Sequence, residues 1–164
     1  MSTFEVVSLE ALHYPEVAHI YTQGIETGQA TFETQATTWE VWNSKYLKTP
    51  RYVALSGKQV AGWCALLPVS DRFVYRGVAE ESVYIHNDFK RKGLAELLLS
   101  HTIQASEDLG IWTLQAGIFP ENKASIHVHE KVGFVPVGIR EKIGQMNGVW
   151  RDVLLMERRS QRIL

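Results

Sequence analysis

The spacing of apolar positions changes along this chain, and each change marks an element. Phe4-Glu5-Val6-Val7 forms a short strand-like run. From Tyr14-Pro15-Glu16 onward the spacing is helical, with Val17, Ile20, Tyr21 and Ile25 on one face and Pro15 in the first turn. Residues 27–34 lose that period and predict a loop. Trp39, Trp42, Tyr46 and Leu47 predict a second helix, opened by a Thr37-x-x-Glu40 capping box and stopped by Pro50. Residues 51–56 and 60–67 read as two strands of a hairpin about Gly57-Lys58.

A polar link leads to residues 80–85, where Val83, Tyr84 and Ile85 are β-branched or aromatic and predict a strand. Leu94, Leu97, Leu98, Thr102, Ala105 and Leu109 then recur at helical spacing, closed by Gly110. Residues 112–118 predict a strand and residues 122–132 a short helix ended by Gly133. Residues 134–143 and 149–156 predict a closing hairpin across Gln145-Met146-Asn147-Gly148. The order β-α-α-β-β-β-α-β-α-β-β predicts a mixed α/β fold built on one sheet, mostly antiparallel at its start and end.

With 164 residues the chain is long enough for one domain with a substantial core and too short for two, so residues 1–164 are expected to form a single domain. Hydrophobic residues at 45% and charged residues at 21% fit a globular protein. A formal net charge of −1 supplies no global field for nucleic acid or membrane. The start has no basic region and no long apolar run, so neither a signal peptide nor a membrane span is expected. The single cysteine, Cys64, excludes an internal disulfide and fits a reducing cytoplasm. It stands in the apolar run Val60-Ala61-Gly62-Trp63-Cys64-Ala65, where a buried, inert thiol is expected.

Candidate chemistry gathers after residue 80. A strand that turns into a helix through the basic loop Lys90-Arg91-Lys92-Gly93-Leu94-Ala95 makes an anion site. The first helical N–H groups lack partners, and the helix dipole favours negative charge there. Gly93 admits close approach and the basic side chains add charge. It is neither a G-x-x-x-x-G-K-[ST] nor a G-x-G-x-x-G loop.

The loop resembles the pyrophosphate loop of the GNAT N-acetyltransferases, [RQ]-x-x-G-x-[GA], with Lys90 where Arg or Gln is usual. Downstream, Asn122-x-x-Ser125-x-x-x-His129-x-x-x-Gly133-Phe134 is similar to that family's second signature, N-x-x-[AS]-x-x-x-Y-x-x-x-G-F, with His129 in place of Tyr. Two signatures in the right order carry the resemblance from about Val60 to the C-terminus. Ala79-Glu80-Glu81-Ser82-Val83-Tyr84-Ile85, the early Ala30-Thr31-Phe32-Glu33-Thr34 loop and the closing Gly144-x-x-x-Gly148-x-Trp150-x-Asp152 resemble the phosphinothricin and methionine sulfoximine acetyltransferases.

That resemblance implies acetyl-CoA as co-substrate, a small amino acid analogue as acceptor, and a homodimer. It implies that Lys90, Arg91, Lys92, Gly93, Leu94 and Ala95 hold the pyrophosphate, and that Asn122 and Ser125 touch the pantetheine arm. The strand amides along Val83, Tyr84 and Ile85 would meet and polarise the thioester. Glu80 is the implied base, with Glu81 its rival should the register slip by one. His129 is the implied proton donor, or hydrogen-bond partner, of the departing thiolate. Arg72 and Arg76 offer guanidinium forks for a substrate carboxylate, and Phe32 offers an apolar wall. His127 and His129 are two apart on a helix and cannot share a face, so no metal site is expected. Acetylation of a protein N-terminus or a polyamine, and non-catalytic acyl-CoA sensing, are the competing functions.

Overall fold

The computed structural model describes residues 3–164. Its strands are β1 (Glu5–Ser8), β2 (Tyr52–Ser56), β3 (Gln59–Pro68), β4 (Val78–Ile85), β5 (Thr113–Ile118), β6 (Val135–Met146) and β7 (Val149–Arg159). Its helices are α1 (Tyr14–Glu26), α2 (Trp39–Lys45), α3 (Leu94–Asp108) and α4 (Lys123–Lys131). Element order matches the order predicted from the spacing of apolar residues. The strands form one seven-stranded sheet in the order β1-β2-β3-β4-β5-β7-β6. Every neighbouring pair is antiparallel except β4 and β5. That single parallel contact is required because α3 carries the chain from the end of β4 back to the start of β5.

Alternation along β3 and β4 divides the core. Trp63 and Ala65 on β3 join Val17 and Ile20 of α1 and Trp42 of α2, with Tyr84 of β4 packed against them. Cys64 turns the other way, onto Leu94, Leu98 and Leu99 of α3, with Val83 and Ile85 beside it. The thiol is fully buried and its pKa is pushed up by that burial, which makes it the inert core residue expected. A third cluster joins Leu114 and Ala116 of β5 to Phe134 and Met156 below α4.

One local expectation fails by a residue. Thr38, not Thr37, caps α2, with its hydroxyl accepting the Val41 N–H at 3.3 Å. Thr37 instead offers its carbonyl to the Tyr14 hydroxyl at 2.5 Å, a contact 23 residues away that local spacing could not show. Glycines close the other elements as expected: Gly110 and Gly133, at φ +84° and +97°, adopt the left-handed backbone that ends α3 and α4.

Candidate active site

The site opens where β4 and β5 part. Their pairing covers only Val78 to Glu80 against Thr113 to Gln115. β3 stays paired to β4 as far as Gly62↔Ile85, and β7 to β5 as far as Ile118↔Leu154. The two inner strands are thus held from outside while the seam between them is left open. The His86 N–H donates to Ala61 O at 2.8 Å. Antiparallel partners alternate between bonded and non-bonded pairs, so Tyr84 and Ser82 bond to β3 while the amides of Val83 and Ile85 turn toward the open seam. Those are donors without a strand to receive them. The cleft around them has a volume of about 1060 Å³.

One end of the cleft is the basic loop. Gly93 sits at φ +77° as the N-cap of α3, and Arg91 at φ +64° also lies in the left-handed region. Alternating such residues turns successive amides to one side, an arrangement that suits an anion. The first intrahelical bond is Leu97 N–H to Gly93 O at 3.1 Å, so the amides of Leu94, Ala95 and Glu96 stand free of the helix ladder. A Cβ built on Gly93 would meet nothing within 4 Å, so the space over it is open for a ligand. Lys90, Arg91, Gly93, Leu94 and Ala95 all line the cleft, whereas the Lys92 ammonium lies over the Phe89 ring at 5.6 Å.

Asn122 and Ser125 line the same cleft from α4. The Asn122 side chain caps α4 by accepting the Ser125 N–H at 3.2 Å, and its amide donates to Gln29 O at 3.2 Å. The early loop is further held by Arg151, which donates to Gly28 O at 3.1 Å and to Gln29 Oε1 at 2.8 Å. Phe32, on that loop, packs edge-on to Phe119 with centroids 5.0 Å apart and lines the cleft.

The two adjacent glutamates have different surroundings. Glu80 shares a face with Ser82 and Tyr84, and Ser82 Oγ lies 3.2 Å from the Tyr46 hydroxyl. Tyr84 stacks on Trp63 with centroids 5.2 Å apart and meets Tyr21 edge-on at 4.9 Å. This aromatic wall, with Glu80 exposed at its edge, forms the α1–α2 half of the cleft. Partial loss of water raises the Glu80 pKa, the Glu81 charge raises it further, and Arg140 opposes both. Glu81 points the other way and is buried, and its Oε1 is bonded to His129 Nε2.

His129 is therefore not a free donor on the cleft wall. Its side chain is 2% exposed, its Nε2 meets Glu81 and its Nδ1 donates to Ser125 O at 2.6 Å. The expectation for Arg72 and Arg76 needs correcting. Neither lines the cleft: Arg72 lies over Tyr75 at 5.4 Å, and Arg76 over Phe73 at 4.1 Å and Trp112 at 5.3 Å. The link bearing them precedes β4 at the closed, paired end of the seam, which carries both away from the opening. Among basic groups near Glu80, Lys45 lines the cleft, and Arg140 does not line it but its charge acts on Glu80. Sequence reading missed both, and it missed the polar role of Tyr46, whose helical spacing pointed only to packing.

An open β4–β5 seam beside a glycine-led anion loop suits a phosphate-bearing ligand laid into the seam, and comparison with known proteins gives the class, an acyl-group transferase. The chain belongs to the acetyltransferase (GNAT) family, whose model matches residues 16–134. It is 30% identical to the L-amino acid N-acyltransferase MnaT of Escherichia coli over 132 residues, covering 71% of this chain and 77% of that protein. It is 32% identical to the phosphinothricin N-acetyltransferase of Alcaligenes faecalis over 151 residues, covering 88% of this chain and 76% of that protein. A phosphinothricin acetyltransferase from Sinorhizobium meliloti, solved in complex with acetyl-CoA, superposes with a TM-score of 0.86 at 25% identity. That match covers 96% of this chain and 88% of the other. The protein is accordingly an N-acyltransferase of that family.

Proposed function

We propose that this enzyme moves the acetyl group of acetyl-CoA to the α-amine of a small amino acid or an analogue of the phosphinothricin, methionine sulfoximine or methionine sulfone type. One observation carries the reading: Glu80 stands where the β4–β5 pairing ends, beside the unpaired amides of Val83 and Ile85 and on the face of the aromatic half. The names of the relatives support the acceptor class. In this reading the basic loop takes the pyrophosphate, and Asn122 and Ser125 border the pantetheine arm. The Val83 or Ile85 amide accepts the growing negative charge on the thioester oxygen. Glu80, its pKa moved toward neutrality, takes the amine proton directly or through water. Transfer is direct, with no acyl-enzyme.

A small amino acid presents a carboxylate as well as an amine, and Lys45 and Arg140 are the cations placed to receive it. Methionine sulfone and phosphinothricin are expected to react far better than their carboxamides, spermidine or an N-terminal peptide. Lys45→Ala or Arg140→Ala should raise KM for the acids with little change in kcat, because the contact exists before and during the reaction. Initial rates of thiol release across this amine panel give the answer. Carboxamides or spermidine reacting as fast as the acids would hand the assignment to protein N-termini or polyamines.

We place the expected homodimer on edge strand β6. There Val135, Val137 and Ile139 are exposed apolar side chains along an edge strand whose pairing with β7 slips between Pro136 and Gly138, a surface that invites a second strand. Val137→Lys with Ile139→Lys should then sediment as a monomer where the wild type sediments as a dimer. A monomeric wild type would refute the placement.

A further inference from the structure

We propose that Glu81 is a positioning residue of the reaction: it holds His129 as a fixed imidazolium in the cleft wall, whose positive charge stabilises the departing thiolate. The proposal rests on the acyltransferase reading above but not on the identity of the acceptor.

The argument starts from the partners of the two side chains. Ser125 O is a carbonyl and can only accept, so His129 Nδ1 carries a proton. Nε2 against Glu81 Oε1 needs one more proton between them. The pair therefore holds a proton that is not required by the Ser125 contact. Both side chains are nearly sealed from water, at 2% and 3% exposure. Glu81 Oε2 has no partner, so among the described residues no other group shares that carboxylate's charge. A buried carboxylate without a counter-charge is costly, and the imidazolium is the group in place to supply one. Burial alone would lower the His129 pKa. The Glu81 charge, the Glu81 hydrogen bond and the Ser125 carbonyl together outweigh that and leave it raised.

The neighbouring groups do not compete for this role. Cys64 on β3, Tyr84 on β4 and Tyr46 beyond α2 all feel the Glu81 charge, and burial raises the pKa of each, so they remain neutral. Glu80 stands on the opposite face of β4. On α4 itself the Lys131 ammonium is paired with Glu96 of α3 at 3.1 Å. His127 lines the cleft two residues away, on a different side of the helix. On β7, Arg158 donates to Val132 O at 3.0 Å and pairs with Glu107.

In the transfer step the amine nitrogen bonds to the carbonyl carbon, the C–S bond breaks, and its electron pair leaves on sulfur. The amine proton goes to Glu80. Sulfur leaves as a thiolate whose negative charge is met by the buried imidazolium, and it takes its proton from solvent to give the thiol. Glu80 then releases its proton to solvent, which balances the cycle. A carboxylate that orients and charges the imidazole behind a reacting sulfur follows the logic by which a third group supports a nucleophile–base pair.

Glu81→Gln separates this role from a purely structural one, because the glutamine can still donate to Nε2 and keep α4 tied to β4 while removing the charge. By ring ¹⁵N NMR, His129 in the wild type should keep both protons to a pH above the ordinary histidine value. In Glu81→Gln it should lose one below that value. With whichever amine the acceptor panel selects, kcat should fall roughly 10²-fold, while acetyl-CoA affinity by calorimetry is unchanged. Glu81→Asp, which keeps the charge at a longer reach, should restore part of both the His129 titration and kcat. Identical His129 titration in wild type and Glu81→Gln overturns the proposal. So does an unchanged kcat, or a loss confined to acetyl-CoA affinity. Failure of amino acids as acceptors would sink only the substrate assignment, since every acceptor leaves the same thiolate.

Discussion

Glu80→Gln is expected to cut kcat at pH 7 by about 10²- to 10⁴-fold, the usual worth of a positioned general base. The acetyl-CoA dissociation constant should barely move. An α-amine is mostly ammonium at neutral pH, and the enzyme needs the free base. Glu80 is suited to the task because it is exposed at the cleft edge yet desolvated enough for its pKa to rise. The sign of the pH dependence follows. A carboxyl with a raised pKa is ready as a base above that pKa and is lost as pH falls through it, so wild-type kcat/KM should decline on the acid side. In Glu80→Gln the amine must deprotonate unaided, so the deficit should shrink as pH rises. A deficit constant across pH, measured by thiol release from pH 6 to about pH 10 to span the amine titration, would show that Glu80 only positions the substrate.

The division of labour between Glu80 and Glu81 shows where sequence reading ends. Alternation along β4 told that the two carboxylates face opposite ways. It could not tell which face was wet, because that depends on α4 returning 48 residues later to seal Glu81 under His129. The signature at His129 marked a functional position, but a motif carries no information on what its ring nitrogens touch. Element order was legible because helices and strands write their periods into the chain, and the left-handed glycines were legible because few other residues adopt that backbone. Arg72 and Arg76 misled for a related reason. Nearness to β4 in sequence places them at its closed end, and only the limits of the β4–β5 pairing reveal which end is open. Lys45, at the end of α2, carried no signal at all; a lysine ending a short helix is ordinarily a solvated charge.

Gly93→Val is expected to weaken acetyl-CoA binding more than Lys90→Ala, by enough to outweigh any loss from a single exposed charge. Two costs fall on the valine. At φ +77° a β-branched side chain is strained in the left-handed region. Its Cβ also enters space that meets no protein atom within 4 Å and that a phosphate would otherwise occupy over the free amides of α3. Lys90→Ala removes one exposed charge. Exposed ion pairs are worth roughly 0–1 kcal/mol and weaken with salt. The fixed amides contribute the same geometry at any ionic strength, so the wild-type and Lys90→Ala affinities should converge as salt is added while the Gly93→Val deficit persists. Calorimetric titration of acetyl-CoA into all three proteins at low and high salt distinguishes the two effects. Equal losses, or a larger loss in Lys90→Ala, would mean that side-chain charge rather than the backbone of the α3 N-terminus holds the pyrophosphate.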